Sequence, residues 1–359
     1  MLSTMMDIPL SLTRILEYGA SVHGSTTVTT WHGEGTGSEF DPAEEVTFRD
    51  IAARAAAFAH AIHDDLGITG DERVGSFMWN CAEHLEVMFG TACKGAIFAP
   101  LNKQLMNDQI RHIINHAEIS AIVCDPRLAQ QLGKVLVGTD SVKSVIITGA
   151  QPAQQFAHLF PRGIEVYSYE ALIDGRSTVY DWPELDERTA AALCYSTGTT
   201  GAPKGVLYSH RSLYLEAMQL RSSDSLCITH GETFLCCIPI CHVLSWGVPF
   251  TCFMTGTPLV LPDADVSAPT LAKAIAATSP RVAHGVPTIW IQLFVHYMHH
   301  PPERMTLTEI YAGGSPVPPT LIKMWEERYG VDVVHVWGMV ETSTVGSVAR
   351  PPQGASGDT

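Results

Sequence analysis

Apolar positions recur along this chain with two alternating periods. Over 47–66, Phe48, Ile51, Ala55, Phe58 and Ile62 fall on one face of a helical repeat, with Thr47 at the N-cap position and Gly67 at the stop. Shorter apolar runs then predict strands at 70–80, 96–102, 120–125, 142–149 and 164–169, with helices at 81–95 and 105–118 between them. A second series follows: a strand at 190–196, a helix from near His210, and helices at 268–280, 287–300 and 318–330. These helices alternate with strands at 281–286, 307–314 and 331–338. Such alternation is the signature of an α/β protein with mostly parallel sheets. The polar, turn-rich stretch 180–188 (YDWPELDER) predicts a linker between two α/β lobes, 1–185 and 186–359. Residues 1–45 read as a short apolar segment followed by a polar, glycine-rich one.

Residues 233–262 carry no Asp, Glu, Lys or Arg, enough length to cross a bilayer. Pro239, Gly247, Pro249, Gly256 and Pro258 cut this run into short pieces, so it reads as a buried strand–helix–strand passage. The N-terminus lacks the basic-then-apolar order of a signal peptide. Composition narrows the classes further. With 46% hydrophobic residues and 16% charged ones, the 359-residue chain has ample material for a core. Its 37 acidic against 22 basic residues give a formal charge of −15, which disfavours general binding to nucleic acid. Nine cysteines form no paired framework and fit a reducing, cytoplasmic setting.

The richest chemistry lies at 195–206 (YSTGTTGAPKGV), between a strand and a helix. Gly198, Gly201 and Gly205 permit close backbone approach, Ser196, Thr197, Thr199 and Thr200 supply hydroxyls, and Lys204 supplies a point charge. This donor array suits a polyphosphate. It is not a Walker loop, because Pro203 and Gly205 flank the lysine.

That segment resembles the nucleotide-binding signature of the adenylate-forming superfamily, which includes acyl-CoA synthetases, luciferases and adenylation domains. Further segments agree in order: PICH ending at His242, GVPT from Gly285 and Val286, GGSPVP from Gly313, Gly314 and Ser315, and VWGMVET with Trp337, Gly338, Glu341 and Thr342. Segments 73–90 and 109–118 are similar to the N-terminal lobe of fatty acyl-CoA synthetases. The resemblance implies the large N-terminal domain of such an enzyme, with an incomplete barrel subdomain. The chain stops at Thr359, before the family's ribose-binding Asp motif, hinge and mobile C-terminal domain with its lysine.

The implied reaction joins a fatty acid to CoA through an acyl-adenylate, using ATP and Mg²⁺. By resemblance, the 196–204 loop holds the pyrophosphate, fixed donors of this kind being worth about 2.7–4 kcal/mol each in a transition state. Glu341 is the implied Mg²⁺ ligand, a hard oxygen for a hard ion. Trp337 stands where the family often has Tyr and implies stacking on adenine. His242 is implied beside the acyl carboxylate. Cys236, Cys237, Cys241 and His242, within seven residues, raise zinc as a weaker reading without a second ligand pair. Trp246 reads equally as a tunnel gate or as packing. Segment 285–294 fits both an acyl-chain wall and an ordinary buried helix. His112 and His116, at i and i+4, lack a third ligand and read as a solvated face.

One departure is Val340, where the family usually has Thr; losing a hydrogen bond to a charged group costs about 1.5–3 kcal/mol. Two other readings share these motifs: loading of the acyl group onto a carrier protein, and non-catalytic binding of nucleotide or acid. Peripheral membrane contact finds no basic amphipathic helix to support it. Apolar surface left open beyond the chain's end would favour association into a homo-oligomer.

Overall fold

The computed structural model describes residues 1, 3–33, 42–196 and 202–350. Its strands, in chain order, are β1 (Thr27–Trp31), β2 (Ala43–Thr47), β3 (Arg73–Phe77), β4 (Ile97–Pro100) and β5 (Ile119–Cys124). There follow β6 (Ser144–Ile147), β7 (Glu165–Ser168), β8 (Ala190–Ser196), β9 (Lys204–Ser209) and β10 (Phe234–Cys236). The last are β11 (Leu259–Leu261), β12 (Val282–Gly285), β13 (Glu309–Gly313), β14 (Asp332–Met339) and β15 (Thr344–Val348). Contacts group the chain into two units: Met1–Tyr18, Ala52–Phe77 and Glu86–Leu215 in the first, Gly19–Ile51, Met78–Leu85 and Glu216–Thr359 in the second.

The first unit is built on a seven-stranded sheet in the order β7-β6-β5-β3-β4-β8-β9. Every neighbouring pair is parallel except β8 with β9. Parallel strands covered on both faces must be apolar throughout, and β4, β6 and most of β5 are buried at every residue. The predicted strands at 70–80, 96–102, 120–125, 142–149 and 164–169 all appear here. Strand β9 lay hidden in what reads as loop, because its residues (KGVLYS) follow a glycine-rich turn and alternate only weakly.

The second unit carries an eight-stranded sheet in the order β15-β14-β13-β12-β10-β11-β1-β2. Its six inner strands run parallel, and antiparallel β15 and β2 close its two edges. The charge-free run 233–262 is the expected buried passage: β10, a helix at Val248–Thr255, and β11. Among the described residues no helix is long and apolar enough to cross a membrane. The core gathers Leu235, Val260, Ile275, Ala283, Trp290, Phe294, Ile310 and Trp325. Strands β1 and β2 are the main addition to the sequence reading. Edge strand β2 shows Glu44 and Glu45 to solvent, and its AEEVT sequence has no strand-like apolar alternation. Next to it the expected helix begins as read, at Phe48–Asp64. Thr47 Oγ1 accepts from Asp50 N (3.2 Å) and the Asp50 carboxylate accepts from Thr47 N (2.9 Å), a reciprocal cap. Both sheets are open, and together they make the mixed α/β architecture expected from the strand–helix alternation.

Candidate functional site

In the first unit, the β8–β9 hairpin brings together the ends of the glycine-rich loop. Ser196 pairs with Lys204 and Tyr195 with Gly205 across the antiparallel ladder. Lys204 is exposed. Thr197, Gly198, Thr199, Thr200 and Gly201 lie outside the described residues. Just before the loop, the Tyr195 ring lies over Gly205, where a Cβ would meet its Cζ at 3.1 Å. The Tyr195 hydroxyl is hydrogen-bonded to His116 Nδ1 at 2.7 Å. His112 and His116 are both exposed, as read from sequence, and His116 also ties this hairpin through Tyr195.

In the second unit, the remaining motif residues cluster by topology. Strands β14, β13, β12 and β10 are consecutive neighbours, all parallel. At or just beyond their carboxyl ends stand Gly338 and Glu341, Gly313–Ser315, Gly285 with Val286, and His242. Ligands of open α/β sheets bind at such ends.

Close packing explains several of the glycines. A Cβ on Gly313 would sit 2.3 Å from Val336 O and 3.0 Å from Trp246 Cη2. A Cβ on Gly285 would sit 3.0 Å from the Trp290 ring. Gly314 has φ +80° and faces Val286. Gly338 has no alternative, since its Cβ would fall 1.4 Å from Thr344 O, at a register shift between β14 and β15. The Trp337 ring lies over Gly346 yet stays 54% exposed, which leaves an indole face open. Thr342 spends its hydroxyl within the turn, accepting from Met339 N at 3.0 Å. Ser315 and Glu341 are exposed, and Glu341 has no ion-pair partner among the described residues.

The segment around His242 is the least regular part of this unit. Buried Asn80 clasps its approach: Oδ1 accepts from Ile240 N (3.0 Å), while Nδ2 donates to Ile238 O (2.8 Å) and Cys236 O (3.2 Å). His242 itself is exposed. After it, Val243, Leu244, Ser245, Trp246 and Gly247 all have positive φ, between 40° and 73°. A left-handed non-glycine residue costs about 1–2 kcal/mol, so four in succession need strong compensation. Ser245 Oγ donates to Ile238 O at 2.7 Å, and Thr344 Oγ1 donates to Val243 O at 3.3 Å. Behind Gly247 the Glu216 carboxyl is buried, 2.9 Å from where a Cβ would be. Burial pushes it up to about 8, and neither carboxylate oxygen has a hydrogen-bond partner among the described residues. Nothing in the sequence marks this turn or its buried acid.

The zinc reading is not supported. Among the described residues no three His, Cys, Asp or Glu side chains converge as metal ligands. Cys236 and Cys237 are buried, and burial pushes the Cys236 thiol up to about 12 and Cys237 well above its ordinary value. Neither is a ready thiolate.

Motifs and fold agree with the comparison to known proteins. Residues 18–358 match the family of AMP-binding enzymes, and the chain belongs to that family. It is 33% identical over 351 residues to a 3-methylmercaptopropionyl-CoA ligase of Ruegeria lacuscaerulensis, covering 98% of this chain and 63% of that protein. It is 32% identical over 354 residues to a medium-chain-fatty-acid–CoA ligase of Ectopseudomonas oleovorans, covering 98% and 62%. The chain thus spans about three-fifths of these curated relatives. Among solved structures, an anthranilate CoA ligase in complex with anthranoyl-AMP superposes with a TM-score of 0.83 at 21% identity, over 98% of this chain and 64% of that one. A long-chain-fatty-acid–CoA ligase from Archaeoglobus fulgidus gives 0.81 at 22%, over 98% and 69%. At such identities the likeness is one of fold.

Proposed function

We propose that this chain carries the nucleotide- and acid-binding portion of a cytoplasmic, ATP-dependent fatty acid–CoA ligase. The observation that carries the reading is the convergence of His242, Val286, Gly313, Gly314, Gly338 and Glu341 at the carboxyl ends of four adjacent parallel strands. Names of the relatives support an acid as substrate and CoA as acceptor.

In the first step a carboxylate oxygen attacks the α-phosphorus of ATP, the bond to the β-phosphate breaks, and pyrophosphate leaves. In the second the CoA sulfur attacks the acyl carbon, AMP leaves, and the thiol proton passes to solvent. Lys204 and the hydroxyls of Ser196, Thr197, Thr199 and Thr200 balance the charge of the departing pyrophosphate, with Gly198 and Gly201 allowing close approach. Gly313, Gly314, Ser315, Trp337, Gly338 and Thr342 form the adenine side, where the half-exposed Trp337 face suits stacking. His242, Trp246, Gly285 and Val286 border the acid. Mg²⁺ suits Glu341: an exposed single carboxylate is the ligand type this ion takes when phosphates and water supply the rest. The ion would offset phosphate charge.

The test is acid-dependent ATP–pyrophosphate exchange by the purified chain, across fatty acids of increasing length. The reading expects exchange that needs both acid and Mg²⁺ and falls at least tenfold in Lys204→Ala. A folded protein with no exchange for any acid would refute catalysis by this chain.

A further inference from the structure

Beneath the left-handed turn lies a closed polar cluster that the reading above does not use. Cys236 at the end of β10, Ser245 in the turn and His284 in β12 are all 0% exposed. Ser245 Oγ is 3.0 Å from Cys236 Sγ and 3.2 Å from His284 Nε2, and His284 Nε2 is 3.1 Å from Ser245 O. Cys236 Sγ also lies 3.6 Å from His284 Nε2. Ser245 Oγ donates to Ile238 O at 2.7 Å, so toward Cys236 and His284 it can only accept. His284 Nε2 then carries the proton and donates to the Ser245 carbonyl, while Nδ1 is left buried without a partner. Burial lowers the His284 pKa to about 4, which keeps the ring neutral with one proton to give. The same ring meets Trp246 edge-on, centroids 5.2 Å apart at 72°, and Phe234 on another side at 5.2 Å and 87°. Trp246 in turn reaches over Gly313 and is 7% exposed.

We infer that His284 is a positioning residue: by donating to Ser245 it holds the turn left-handed and fixes Trp246 against Gly313, and so sets the shape of the acid pocket. Its reach into acid selection rests on the proposed function; its hold on Trp246 does not. A histidine that only filled space would be replaceable by any side chain of similar volume. A positioning donor is replaceable only by a side chain that restores the N–H near Nε2.

The experiment uses the full chain and three variants, His284→Met, His284→Gln and Ser245→Ala, each also made with Trp246→Phe so that the Trp246 emission is obtained by difference. Thermal unfolding establishes which variants are folded. The inference expects Trp246 emission to shift to the red and its acrylamide quenching to rise at least twofold in His284→Met, with His284→Gln close to wild type; Ser245→Ala keeps the carbonyl that His284 donates to and should disturb Trp246 less than His284→Met does. Unchanged Trp246 emission and quenching in folded His284→Met would overturn it, as would equal disturbance by His284→Gln. The same proteins are then titrated with saturated fatty acids from short to long by calorimetry. A change of at least fivefold in the preference between short and long acids, in the variants that free Trp246, supports the link to selection. Wild-type chain-length preference in those variants overturns that link. If wild type binds no acid while Trp246 responds as expected, positioning stands and the acid-pocket reading fails.

Discussion

The hairpin closing on Ser196 and Lys204 and the turn following His242 hold their motif residues in opposite ways. From Ala192 to Ser196 the hairpin is a continuous antiparallel ladder with Lys204–Tyr208, and its charged side chain is exposed. Its fixed points are a glycine under Tyr195 and the hydrogen bond from Tyr195 to His116. The turn is buried, its backbone is left-handed over five residues, and beneath it Cys236, Ser245 and His284 Nε2 are engaged with one another and with the backbone. The difference follows from what each segment must do. On the proposed function the hairpin presents donors to a charged, hydrated ligand and the turn shapes an apolar pocket. A buried turn must satisfy its backbone without water, so the fold supplies buried partners.

That contrast predicts where stability and binding separate. The largest stability loss belongs to Gly338→Ala, because the new methyl overlaps Thr344 O. About 3–5 kcal/mol should be lost, read as a drop in the urea midpoint. A small effect would mean that β14 and β15 shift apart easily. Next is Asn80→Ala, which strips partners from Ile240 N, Ile238 O and Cys236 O. A cost of about 2–4 kcal/mol is expected. If the cost stays below about 1 kcal/mol, the approach to His242 is not clasped as described.

The third effect depends on pH. His32 lies 3.1 Å from buried Asp263 and 3.7 Å from Glu44. Their hydrogen bonds raise it from 6.5 to about 9. A raised folded value means the stabilisation is complete below pH 6.5 and is lost as pH rises through 9. Wild type should therefore lose about 2–3 kcal/mol more than His32→Gln over that window, in paired melts. Parallel curves for the two proteins would remove the ion pair from the account. Smallest in stability is Lys204→Ala, an exposed side chain, at under about 0.5 kcal/mol. Its nucleotide affinity should still fall at least tenfold. A large loss of stability instead would make the hairpin resemble the turn.

The same contrast explains what could be read from sequence. The glycine-rich hairpin announces itself through residue types, a run of Ser, Thr, Gly and Lys. The parallel strands announce themselves through apolar runs, and the cap at Thr47 through its residue type at the head of a helical repeat. The turn at Val243–Trp246 leaves no such trace, since Val, Leu, Ser and Trp have no preference for positive φ. Its compensation comes from His284 and Thr344, remote in sequence and ordinary in type. Strands β1 and β2 were equally silent: they gain their place by pairing β1 with β11, some 230 residues away, a contact that local pattern cannot carry. His116 was visible only as half of an i, i+4 pair, and its partner Tyr195 comes from β8, 79 residues further along the chain.

The most direct test of the central claim is calorimetric titration of the full chain with a non-hydrolysable acyl-adenylate mimic, beside AMP and the free acid. The account predicts that the mimic binds at least tenfold more tightly than either part, and that lengthening its acyl chain changes its affinity. Binding no tighter than AMP, or affinity indifferent to the acyl group, would contradict a joint nucleotide and acid site.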